Sequence, residues 1–81
     1  MMRVDICASD DHDTRDRLLS AIHELSGAHE GNWESLGVGL NRFRFPGGEL
    51  SLFIDAWFVD VAGPDELVTR VLVEMERADY R

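Results

Sequence analysis

Apolar and polar residues alternate from Arg3 to Ala8, with Val4, Ile6 and Ala8 on one side and Arg3, Asp5 and Cys7 on the other. A period of two predicts a half-buried strand. After Ser9 the period lengthens. Thr14, Leu18, Ala21, Ile22 and Leu25 fall on one stripe and predict a helix over Ser9–Ser26. Ser9 suits the N-cap, and Asp10, Asp11 and Asp13 sit where the helix dipole favours negative charge. Asp11 and Arg15 have the spacing of an exposed ion pair. Gly27 follows the last periodic residue and suits a left-handed cap.

Residues 28–39 carry Gly31, Gly37 and Gly39 without a clear period, which predicts a loop with an irregular strand beginning near Leu36. Leu40–Phe45 and Glu49–Val61 then read as a hairpin around Pro46-Gly47-Gly48. With Gly47-Gly48 as the turn, Phe45 faces Leu50 and Phe43 faces Leu52. Phe43, Phe45, Leu50, Leu52, Ile54, Ala56 and Phe58 then share one face. A slip of one residue would bring Arg42 and Arg44 to the core, so that register is disfavoured. Gly63–Tyr80 reads as a second helix, with Pro64 at its start and Leu67, Val68, Val71, Leu72 and Met75 as its buried stripe.

The order is β-α-β-β-α in one domain, residues 1–81. Two amphipathic helices and a sheet with one dense apolar face predict an α+β two-layer sandwich, a small sheet with both helices on one face. The layout resembles a ferredoxin-like split βαβ unit without its final strand, and the helix between the first two strands permits a parallel crossover.

That packing leaves the reverse of the sheet uncovered. Continuous alternation along 49–61 places Phe53, Asp55, Trp57 and Val59 there, and the hairpin partner adds Leu40, Arg42 and Arg44. Aromatic residues and arginine dominate interface hot spots, so these seven residues form the candidate binding surface. Arg42 is expected opposite Phe53 and diagonal to Asp55. A second contact surface is the outer stripe of the first helix: His12, Asp16, Leu19 and His23.

Composition narrows the chemistry. Sixteen acidic residues stand against eight basic ones, all arginine, for a net charge of −8. An acidic field repels nucleic acid and anionic membrane and favours a basic protein partner. Arginine without lysine also fits a GC-rich, bacterial genome. No apolar run is long enough to span a bilayer, and Arg3 interrupts what would be a leader's apolar core. The lone Cys7 excludes an internal disulfide and, with those features, predicts a cytoplasmic protein.

Candidate catalytic groups are sparse. The run Asp10-Asp11-His12…Arg15 after a first strand resembles the phosphoacceptor end of response-regulator receiver domains. Receivers also need an acceptor Asp after a third strand and a lysine. This chain has no lysine, so the likeness reduces to helix-capping chemistry. His12 and Asp16 share a helix face but supply only two ligands, so no metal is expected. Cys7 precedes a helix N-terminus, yet the neighbouring aspartates oppose a thiolate. His29 and Glu30 read as loop residues near Trp33, and the Gly37–Gly39 and Gly47–Gly48 segments lack phosphate-loop spacing.

The expectation is a non-catalytic, acidic protein-binding domain needing no cofactor, of inhibitor, immunity-protein or complex-subunit type, and a homodimer through the same face. One alternative is a small-ligand regulatory domain of ACT-like layout. Another is a minimal enzyme built on Cys7 or the histidines.

Overall fold

A computed structural model describes residues 1–35 and 38–78, with the side chains of 33–35, 38 and 78 outside that description. Seven elements follow one another: β1 (Met2–Ala8), α1 (His12–Glu24), β2 (Ala28–Ser35), β3 (Val38–Phe45), β4 (Gly48–Ile54), β5 (Phe58–Gly63) and α2 (Asp65–Ala78). The protein is α+β, with a five-stranded sheet in the order β1-β5-β4-β3-β2 and two helices. Every pair in the sheet is antiparallel.

The three-strand β-α-β-β-α order is therefore corrected to β-α-β-β-β-β-α. β1 and β2, which a crossover helix could have set as parallel neighbours, lie at opposite edges. The segment read as a loop is the edge strand β2 and the start of β3; Leu36 lies outside the described residues. β2 carries no apolar alternation because it borders water: His29, Glu30 and Asn32 are all exposed.

Alternation located the core in the helices and along the sheet as far as Ile54, and not beyond it. Phe43, Phe45, Leu50, Leu52, Val59 and Val61 from the sheet join Leu18, Ala21 and Ile22 of α1 and Leu67, Val68 and Val71 of α2 in one cluster. The α2 stripe is as predicted, with Leu72 and Met75 partly buried against that cluster. The hairpin turn is Pro46-Gly47 instead of Gly47-Gly48. Phe45 thus faces Gly48, Phe43 faces Leu50, and Asn41 faces Leu52. This register differs from the expected one by two residues, which preserves the face of every side chain as far as Ile54.

The caps of α1 differ from expectation. Asp11 is the N-cap; its carboxylate accepts from the Thr14 backbone N–H at 3.1 Å and the Thr14 hydroxyl at 2.7 Å. Committed to Thr14, Asp11 does not form the expected pair with Arg15, whose guanidinium donates instead to the Ser9 carbonyl at 3.1 Å. At the other end Ser26, with φ 65°, takes the left-handed position expected of Gly27. Gly27 is needed for space: a Cβ there would lie 2.6 Å from Phe45 Cζ and 2.7 Å from Ile22 Cγ2. Among the described residues no helix is long and apolar enough to cross a membrane.

Candidate functional site

The strand predicted over 49–61 is two strands. The break is an Asx turn at Asp55-Ala56-Trp57. The Asp55 carboxylate accepts from the backbone N–H groups of Trp57 and Phe58, each at 2.7 Å. Those bonds, Phe58 first and then Trp57, hold the Asp55 carboxyl below its ordinary pKa, because they favour the charged form. The Asp55 N–H in turn donates to the Phe58 carbonyl at 3.1 Å.

The turn reverses the alternation beyond it. Val59, expected on the outer face, is 0 % exposed in the core, and Val61 is buried beside it. Phe58, expected inside, is 57 % exposed, and Ala56 is exposed in the turn. Asp55 and Trp57 belong to the turn and not to the sheet face. Trp57 stands 74 % exposed at its tip. No hydrophobicity pattern marks this break, because Asp55 reads equally well as an outward residue of a continuous strand. The available signal was the aspartate itself, whose carboxylate can accept from backbone N–H groups a few residues on.

Of the seven surface residues, four stay on the outer face: Leu40, Arg42, Arg44 and Phe53. Leu40, rather than Arg42, lies opposite Phe53; Arg42 lies opposite Ser51. Asp60 lies across from Phe53 on β5, and Asp5 lies across from Asp60 on β1. Sequence reasoning missed Arg3, whose guanidinium carbon sits 4.5 Å from the Phe53 ring centroid. Arg3 also donates Nη2 to Asp60 Oδ2 at 2.9 Å. The signal for Arg3 was its own alternation in β1, which puts it on the same face as Asp5. Arg44 pairs with Glu30 at 2.6 Å. Among the described residues Arg42 makes no ion pair.

The outer face therefore runs Leu40, Phe53, Asp60 across β3, β4 and β5, with Phe58 one step along β5 from Asp60 and Trp57 beyond it. Trp33 pairs in register with Leu40 at the β2 edge. Asp5 is held above its ordinary pKa chiefly by a hydrogen bond to Asp60 and by that group's charge. The Asp60 Oδ1 atom is enclosed and has no hydrogen-bond partner among the described residues.

The catalytic candidates are scattered. Cys7 is half-buried and its thiol is pushed up mainly by burial, with Asp11 adding and Arg15 opposing. His29 lies on β2, at the sheet edge remote from β1, with its ring 5.2 Å from Phe43 and Nε2 3.3 Å from Asn41 Oδ1. His12 is exposed in the first turn of α1. With Asp16, Leu19 and His23 it forms a wet helix stripe in which Leu19 is 43 % exposed. Among the described residues no three His, Cys, Asp or Glu side chains gather closely enough to hold a metal ion. Compared with family models, with curated proteins and with solved structures, the chain matches none.

Proposed function

We propose that this is a non-catalytic binding domain that holds another protein against the outer face of its sheet. The reading treats the molecule as two layers, with both helices over the core face and the reverse face available. One observation carries it: Phe53 and Leu40 are half-buried neighbours on that face, and Phe58 and Trp57 extend the apolar strip into water at one end. Aromatic anchors ringed by arginine have the composition of a contact surface.

The charges divide the work. At long range the net charge of −8 favours a basic partner. At contact, Arg3 and Arg44 already have carboxylate partners, and Arg42 is left for an acidic or carbonyl group of the partner. A homodimer through the same face is the self-association form of this proposal. A cytoplasmic inhibitor or complex subunit is the corresponding biological role.

The test is affinity capture from the source cell with wild type, Phe58→Asp and Arg42→Glu, together with sedimentation mass of each. A partner, or a dimer mass, retained by wild type and lost in both variants supports the proposal. A monomer whose captured proteins are the same in all three ends it.

A further inference from the structure

A second feature lies on the opposite side of the sheet. Residues of α1, β3, β4 and β5 together line a hollow of about 190 Å³. Leu18 and Leu19 of α1 form one wall, and Phe43, Leu52 and Ile54 form the other. Two polar side chains, Arg15 and Asn41, also line it. An aliphatic cavity of about 150 Å³ is large enough to take up benzene, so this hollow accepts a body of phenyl size.

The polar pair decides the ligand's charge. Arg15 is half-buried, and among the described residues its guanidinium makes one hydrogen bond, to the Ser9 carbonyl. It pairs with no carboxylate among the described residues, although the chain has twice as many acidic as basic groups. The nearest helical candidate, Asp11, is occupied by Thr14. A guanidinium has five donors in a planar fork that matches a carboxylate, and partial burial raises the gain from supplying one. Asn41 uses its carbonyl oxygen toward His29, which leaves its amide nitrogen to donate.

We propose that this hollow binds a small monocarboxylate with an aryl or branched apolar body. The body displaces water from between α1 and the sheet, and the carboxylate lies across Arg15 with Asn41 as a second donor. The proposal is independent of the outer-face reading, which uses the other side of the sheet.

The experiment titrates the full isotope-labelled chain with phenylacetate, and separately with its neutral isostere phenylacetamide and with benzylamine. Phenylacetate is expected to shift the Leu18, Leu19 and Ile54 methyl resonances and to bind about tenfold more tightly than the amide. Benzylamine is expected not to bind. Arg15→Gln, which keeps a donor for Ser9, should erase the preference for the acid while leaving amide binding unchanged. Ile54→Phe should fill the hollow and abolish both. Equal binding of acid and amide by the wild-type chain overturns the charge assignment and requires no variant to fold. Shifts confined to Trp57 or the outer face, or no saturable shift with phenylacetate, overturn the site itself.

Discussion

The reversal of alternation at Asp55 decides which residues face a partner, and two single substitutions test it. Asparagine is placed at Val59 in one variant and at Phe58 in the other. Val59 is 0 % exposed. Losing its burial costs about 1.5–3 kcal/mol, and enclosing an unpartnered amide adds about 1–3 kcal/mol. Together these give about 2.5–6 kcal/mol, a large part of the stability of so small a domain. Phe58 is the bigger side chain, but 57 % of it is already in water. Less than half of its burial gain is at stake, about 1 kcal/mol. Urea unfolding followed by far-ultraviolet circular dichroism measures both. With a slope of about 1–2 kcal/mol per molar urea, the midpoints should separate by more than about 1 M, Val59→Asn being the lower. Size alone, and a continuous strand over 49–61, both predict the opposite order. A Phe58→Asn midpoint at or below that of Val59→Asn refutes the turn and the surface built on it.

Gly27→Ala should destabilise by about 1–3 kcal/mol in urea unfolding through overpacking against Phe45, and the loss should shrink in a Phe45→Leu background. An undiminished loss there would locate the cause in the Ile22 contact or the backbone instead of in Phe45. Ser26→Gly should stabilise by up to about 1 kcal/mol, since it relieves φ 65° at a non-glycine residue; a lower melting temperature would contradict the cap. Asp11 and Asp55 have lowered pKa values, so their contribution is present above the ordinary 3.8 and is lost as pH falls through the lowered values. Asp55→Ala should therefore destabilise at neutral pH, with the difference from wild type closing in strong acid. Asp5 is opposite: its raised value means a contribution fully present below 3.8 and lost as pH rises through it. Asp5→Asn, with a permanent donor toward Asp60, should be more stable than wild type at neutral pH and similar to it in acid. Parallel pH profiles for the variant and the wild type would rule out the Asp5–Asp60 contact.

What could be read from the sequence was whatever is set by burial against a single apolar layer. The stripes of α1 and α2 and the faces of Phe43, Phe45, Leu50 and Leu52 follow from period alone. They withstood an error of two residues in the hairpin register because an even shift keeps the pleat in phase. β2 was illegible for the complementary reason: its described side chains meet water and impose no pattern. The turn at Asp55 was illegible because a carboxylate that caps backbone N–H groups and one that points to solvent leave the same mark on hydrophobicity. The candidate surface inherited that error, losing Val59 to the core, gaining Phe58 and Arg3, and keeping the four residues that precede the break.

The same turn also fixes where α1 begins. The Ser9 hydroxyl donates to the Ala56 carbonyl at 2.9 Å, and the Ser9 N–H donates to the Trp57 carbonyl at 2.9 Å. With its side chain drawn to the neighbouring loop, Ser9 does not cap the helix, and the role passes two residues on to Asp11. That shift occupies Asp11 with Thr14, and Arg15 is left to reach back to the Ser9 carbonyl. The turn at Asp55 is thus joined through Ser9 to the choice of helix cap and to a guanidinium at the hollow beside α1 that pairs with no carboxylate among the described residues. The two surfaces lie on opposite sides of the sheet, yet Ser9 ties them through its hydrogen bonds to the turn on one side and to Arg15 on the other.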